Sequence, residues 1–262
     1  MESTSLSQPA SLIDPFGRSI NYLRLSVTDR CNLRCTYCMA EEMTFLPKQQ
    51  ILSLEELRDA ATAFVELGIR KIRLTGGEPL IRRDILKLVS SLAALPGLDE
   101  LTMTTNGVYL PSMAQPLKDA GMSRLNISID SLKIERFKQL TRVGDLSQVL
   151  DGIHAANAVG FNKIKLNAVI LAGFNDDEVI DLASFAVDNG LDISFIEEMP
   201  LGEISSHKRA ATQITSAQIR DQLESKFTLL DSAETTGGPS RYRQVANSDS
   251  KIGFISPMSN NF

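Results

Sequence analysis

The sequence predicts an α/β protein built around a parallel sheet, and three observations carry that prediction. Six short runs rich in Ile, Leu and Val alternate with longer helix-patterned stretches, glycines fall where those helices must stop, and the polar residues of the strands gather on one face. Such alternation gives parallel strands joined by right-handed crossovers. A barrel, complete or incomplete, or an open doubly wound sheet would satisfy it. No GxGxxG follows the first strand, which weakens the case for a dinucleotide fold.

The strands are expected over Tyr22–Val27, Arg70–Leu74, Asp99–Thr104, Arg124–Ile129, Lys163–Ile170 and Leu191–Ile196, each bounded by Gly, Asp or Asn. Ser53 with Glu56 forms a capping box for the helix after the first strand, and Gly68 ends that helix. Gly121, Gly160 and Gly190 end later helices in the same way. Asn175 with Glu178 opens another, so the Asp176-Asp177-Glu178 run reads as a solvated acidic first turn. From Met199 the rhythm breaks. Thr215 with Gln218 opens one helix (Ser216–Ser225), followed by Gly237-Gly238-Pro239, a loop and a short apolar run at Ile252–Ile255. The expected organisation is a flexible arm over 1–12, a sheet-and-helix body over 13–200 and an irregular C-terminal extension over 201–262.

Within a strand, residues i, i+2 and i+4 share a face. One parity collects Arg24, Ser26 and Thr28; Lys71, Arg73 and Thr75; Arg124, Asn126, Ser128 and Asp130; and Lys163, Lys165 and Asn167, while the other is mainly apolar. If helices cover the apolar face, the polar one lines the interior, and unpartnered cations buried there would be very costly. A wet, positively lined cavity for an anionic substrate, most simply phosphates, reconciles the two. Arg24, Arg73 and Lys165 are assigned to it as a set, with Arg124 and Lys163 either there or in solvent at strand ends.

The three cysteines of the chain all fall within Cys31-Asn-Leu-Arg-Cys35-Thr-Tyr-Cys38. A structural zinc site needs four closed ligands, and His154 and His207 are remote in sequence. Three thiolates on a four-iron cluster leave one iron open, free to hold a small molecule and pass it an electron. That reading is preferred to zinc, a disulfide or idle thiols. Thr75-Gly76-Gly77-Glu78-Pro79 follows the second strand and bares backbone where ligands of parallel folds bind.

The 262 residues carry a formal net charge of −5, which argues against nonspecific binding to nucleic acid or an anionic membrane. No apolar run approaches the roughly 20 residues of a membrane helix, and the Ser-rich start lacks the pattern of a signal peptide. A cytoplasmic location, where thiols stay reduced, is therefore expected.

The cysteine spacing, with Tyr37 before the last cysteine and Gly76-Gly77-Glu78-Pro79 after the second strand, resembles the radical SAM superfamily. Leu23–Cys31, Arg73–Pro79, Thr104-Thr105-Asn106-Gly107, Asn126–Leu132 and Phe195–Gly202 resemble, more narrowly, its GTP 3′,8-cyclase family, which opens molybdenum cofactor synthesis. That resemblance implies an incomplete (β/α)6 TIM-like barrel with a [4Fe-4S] cluster on Cys31, Cys35 and Cys38 at its mouth, the open iron chelating S-adenosyl-L-methionine (SAM). It implies SAM contacts from Tyr37, Gly77, Ser128 and Met199, and GTP contacts from Arg24, Arg73, Thr104 and Lys165. The implied reaction cleaves SAM to a 5′-deoxyadenosyl radical that takes the ribose 3′ hydrogen of GTP, whose C3′ then bonds to guanine C8. No side chain is assigned acid–base work. An external electron donor and a homodimer belong to the same implied picture.

Two departures from the family pattern bear on these expectations. Family members carry a second three-cysteine motif near the C-terminus, and no cysteine follows Cys38; the sequence reads as breaking off at Phe262, in front of that motif. Ser194 stands where an arginine is common. The expectation is a chain with one cluster that cleaves SAM but completes GTP cyclisation inefficiently. The alternatives are a radical SAM paralogue acting on a peptide or other small metabolite, and a non-catalytic cluster or SAM binder.

Overall fold

The computed structural model describes residues 12–40, 42–161, 163–199, 208–234 and 236–257. Most of the expected N-terminal arm, Leu201 and Gly202, His207 and Ser259–Phe262 lie outside them. The barrel strands are β1 (Tyr22–Ser26), β2 (Lys71–Thr75), β3 (Glu100–Thr105), β4 (Arg124–Ser128), β5 (Ile164–Ile170) and β6 (Asp192–Glu197). Each lies within a residue or two of its sequence expectation. Helices α1 (Leu54–Glu66), α2 (Ile85–Ala93), α3 (Leu110–Asp119), α4 (Ile134–Thr141), α5 (Leu146–Val159) and α6 (Val179–Asp188) connect them. After β6 come α7 (Arg209–Thr212), α8 (Ser216–Glu224), β7 (Leu229–Asp231), β8 (Arg241–Val245) and β9 (Lys251–Ile255).

The sheet runs β1-β2-β3-β4-β5-β6-β9-β8-β7, parallel as far as β9 and antiparallel beyond it. β1 and β7 do not pair, so the barrel is open. The Gly237 loop crosses the gap, close to Tyr22 and Lys71. The run read as irregular after Met199 thus extends the sheet. Sequence reading saw only its last strand, because β7 has three residues and β8 (Arg-Tyr-Arg-Gln-Val) offers little apolar signal.

Local chemistry explains the helices. The Ser53–Glu56 and Thr215–Gln218 capping boxes both form, satisfying N-terminal donors that a helix cannot pair internally. On α2, Ile85, Leu88, Val89 and Leu92 fall on one face and are buried against the sheet. The outward parity of the strands, including Ile72, Leu74, Leu125, Ile127, Leu166, Ile193 and Phe195, is fully buried. The polar parity faces the interior.

The Asn175–Glu178 cap does not form. Asn175 Oδ1 accepts from Leu171 N at 2.8 Å, and its Nδ2 donates to the Asp130 and Val169 carbonyls at 2.7 and 2.9 Å. Glu178, read as solvated, is fully buried. It accepts from Ser131 Oγ and Leu132 N and pairs with Arg136 Nη1 at 2.6 Å. Only Asp177 of that acidic run matches the solvated reading in its pairing with Lys133, at the surface. Buried backbone groups at the ends of β4 and β5 outcompete the helix terminus for these side chains, because leaving them unpaired costs more than a missing cap.

Candidate active site at the carboxyl end of the barrel

The loop after β1 carries Cys31, Cys35 and Cys38 to the carboxyl ends of the strands, where they line one cavity of about 300 Å³ with Ser26, Thr28, Gly76 and Gly77. The loop is anchored on α4. Arg34 N and Thr36 N donate to the Thr141 and Leu140 carbonyls at 3.1 and 2.9 Å, using acceptors that the end of a helix leaves free. Arg142 Nη1 adds bonds to the Arg34 and Met39 carbonyls at 3.0 and 3.1 Å. Cys38 N and Met39 N both donate to Cys35 O, turning Cys35 and Cys38 into the same space.

The glycines after β2 serve this loop. A Cβ on Gly76 would lie 2.4 Å from Thr28 O, and one on Gly77 would lie 2.1 Å from Arg30 O. Gly77 N and Glu78 N donate to those same two carbonyls at 2.8 and 2.7 Å. Sequence reading gave the bare backbone to a ligand; the structure adds that it first admits the cysteine loop. Glu78, almost fully buried, then ties the loop down. Its carboxylate accepts from Leu80 N (3.0 Å), Thr105 Oγ1 (2.8 Å) and Asn106 N (2.7 Å). Asn106 Nδ2 in turn reaches Asn32 Oδ1 at 2.8 Å and Cys31 Sγ at 3.9 Å.

All three thiols are pushed above the ordinary cysteine range, first by burial. The neighbouring thiols add to this at Cys35 and Cys38, and Asp130 adds at both. Cationic metal relieves that penalty, since coordination removes the thiol proton. Among the described residues no three His, Cys, Asp or Glu side chains converge on a point that would hold a single ion. Three cysteines around one cavity of about 300 Å³ leave room for a multi-iron cluster. The residues therefore fit the group.

The remaining expected SAM contacts surround the same mouth. Tyr37 sits between two of the cysteines, its hydroxyl donating to Asp130 Oδ2 at 2.7 Å. Asp130 Oδ1 accepts from Val169 N at 2.9 Å, and burial raises its carboxyl to about 6. Ser128 ends β4 and Met199 follows β6; both are half-buried.

One inward step along β1, about 7 Å, separates Ser26 in the cysteine cavity from Arg24. Arg24, Arg73, Thr102 and Arg124 are lateral partners across β1 to β4, and Thr104, Asn126, Lys165 and Asp192 form the next row across β3 to β6. Arg73 and Lys165 are buried, Thr104 is half-buried and Arg24 is exposed. Arg73 Nε donates to Thr102 Oγ1 at 3.3 Å, and its guanidinium is pulled below the usual arginine range, chiefly by burial. Arg124 is mostly buried and pairs with Glu100 at 3.0 Å, whereas Lys163 lies in solvent beside Glu234. Both amide atoms of Asn126, Arg124 Nε and Asn167 Oδ1 are buried without a hydrogen-bond partner among the described residues. Orphaned polar atoms beside buried cations are the groups a polar, anionic ligand would satisfy.

Sequence reasoning missed Glu78, Asn106, Asp130 and Tyr242 as parts of the site. The first three lie inside motifs it did single out, so their type was visible but their partners were not. Tyr242 had no signal.

An open parallel βα barrel whose mouth carries a CxxxCxxC loop defines a class, that of the radical SAM enzymes. The Radical SAM superfamily pattern matches residues 25–186, and the Molybdenum Cofactor Synthesis C pattern matches residues 191–262. Among solved structures, Streptococcus suis SuiB superposes with a TM-score of 0.64 at 20% identity, over 78% of this chain and 45% of that one, a likeness of fold. A GTP 3′,8-cyclase of Pseudomonas putida (strain W619) is 62% identical over 253 residues, 96% of this chain and 76% of that protein. The enzyme of the same name from Pseudomonas entomophila (strain L48) is 60% identical over 255 residues, 97% of this chain and 76% of that protein. The chain belongs to the GTP 3′,8-cyclase family of the radical SAM superfamily.

Proposed function

We propose that this chain binds SAM and GTP in one barrel and forms (8S)-3′,8-cyclo-7,8-dihydroguanosine 5′-triphosphate, the first step of molybdopterin synthesis. The observation that carries the proposal is the stacking of a three-cysteine cavity above a wall of buried cations along one barrel axis. Cys31, Cys35 and Cys38 hold a [4Fe-4S] cluster. With SAM bound there, such a cluster would supply the one-electron chemistry for hydrogen abstraction from the GTP ribose.

The chain's own residues bind, orient and exclude water. Tyr37, Gly77, Ser128 and Met199 ring the mouth and hold SAM. Arg24, Arg73, Thr104 and Lys165 receive GTP, the cations binding its triphosphate and fixing the sugar relative to the mouth, an effect of orientation and not of proton transfer. The covering helices and the β7–β9 strands keep bulk water from the reacting carbon. An external electron donor, a reducing cytoplasmic setting and a homodimer complete the reading. Among the described residues no helix is long and apolar enough to cross a membrane.

The test is anaerobic reconstitution with iron and sulfide, reduction with dithionite, and measurement of 5′-deoxyadenosine with and without GTP. Cys35→Ala should lose cluster absorbance and 5′-deoxyadenosine together. SAM cleavage that proceeds equally well in Cys35→Ala would overturn the cluster assignment. Cleavage indifferent to GTP, with no GTP binding, would overturn the substrate.

A further inference from the structure

We propose that Tyr242 is a positioning residue for the polyphosphate-binding ammonium of Lys165, delivered into the barrel by the C-terminal strands. The inference rests on the proposed GTP site and deepens it. Lys165 on β5 is 5% exposed and Tyr242 on β8 is 4% exposed. Although 77 residues apart, they meet in a single bond, with Lys165 Nζ donating to Tyr242 Oη at 2.9 Å. The hydroxyl is itself held, by Thr236 Oγ1 at 3.2 Å and by the Ser240 side chain.

The seat for the tyrosine ring is built from small residues. Gly253 is the register partner of both Ser194 on β6 and Tyr242 on β8. A Cβ there would lie 2.2 Å from Ser240 Oγ, 2.6 Å from Ser194 Oγ and 2.9 Å from Tyr242 Cε1. Ser194 and Ser240 share a hydrogen bond of 2.9 Å beneath the ring. A side chain at position 253 would collide with the ring and with both serines.

An ammonium has three N–H donors on a rotating head. Tyr242 takes one of them and thereby fixes the direction of the other two. It also supports the charged form. Burial draws Lys165 below the ordinary lysine range, Arg73 and Arg124 push the same way, and the tyrosine oxygen opposes them. Without the hydroxyl, a buried cation beside two arginines loses a neutral anchor. Strand β8, seated on β9, is therefore part of the anion site, and extending the sheet is not its only role.

The experiment is calorimetric binding of inorganic triphosphate and of GTP to reconstituted protein, in a cycle of Tyr242→Phe, Lys165→Met and the double variant. Phenylalanine keeps the ring in its seat and removes only the oxygen. Tyr242→Phe is expected to weaken both ligands by roughly tenfold, the scale of one hydrogen bond to a charged group. It should have no further effect in the Lys165→Met background. Equal weakening in both backgrounds would mean a merely structural tyrosine, and unchanged or tighter binding in Tyr242→Phe alone would also overturn the proposal. If Lys165→Met itself leaves triphosphate binding intact, the assignment of the anion site falls first. Should Tyr242→Phe fail to fold, Thr236→Val removes one of the hydroxyl's other partners; it is expected to weaken triphosphate two- to threefold, and no change would count against the proposal.

Discussion

Replacing Gly77 with alanine should unseat the cysteine loop while leaving the barrel folded. The new methyl would lie 2.1 Å from the Arg30 carbonyl oxygen, 2.4 Å from its carbon and 3.0 Å from the Asp29 oxygen. All three are backbone atoms, so no side chain can swing aside. Ordinary contact requires the loop to retreat by more than about 1 Å. That retreat stretches the bonds from Gly77 N to Thr28 O and from Glu78 N to Arg30 O, at 2.8 and 2.7 Å. Two buried hydrogen bonds at about 1 kcal/mol each, with about 1–3 kcal/mol of overpacking, give a local penalty of about 3–5 kcal/mol. The loop's other anchors, at α4 and Asn106, do not relieve this contact. Iron and sulfide bound per chain after anaerobic reconstitution should fall several-fold, with thermal unfolding of the barrel little changed. A variant that holds a full cluster and fails only in SAM affinity would refute the reasoning, because Gly77 would then clear a ligand and not the loop.

Two further substitutions probe the ties around the mouth. Glu78→Gln places an amide donor against one of three donors now satisfied by a carboxylate, so chemical denaturation should show a loss of about 2–3 kcal/mol. A midpoint equal to wild type would mean that the Glu78 network does not hold the site together. Arg136→Met leaves Glu178 buried without its ion pair; with Arg136 partly solvated, the loss should be about 2–3 kcal/mol in the same measurement, below that of a fully buried pair. An unchanged midpoint would show that Ser131 and Leu132 satisfy Glu178 alone.

Much of the site was legible because its signals are local. Cys31, Cys35 and Cys38 are close in sequence, and strand parity alone sends Arg73 and Lys165 inward, where they are found buried. Parity cannot say how deep a residue sits. Arg24 obeys the same rule yet is exposed, and Arg124 and Lys163, equal on paper, part company through Glu100 and Glu234. Glu178 was misread because an acidic run before a helix has an ordinary surface explanation, and its competitor, the Ser131 turn, is 47 residues away.

Periodicity, capping boxes and cysteine spacing thus determined the six βα units, the inward cations and a loop suited to a cluster, since each depends on neighbours within a turn or a strand. Tertiary structure alone decided that Gly76 and Gly77 clear the cysteine loop, that Glu78 and Asn106 tie it to β3, and that Tyr242 reaches Lys165 from an antiparallel strand. Each of those contacts joins segments distant in the chain, and their geometry exists only once the sheet has fixed the register that brings them together.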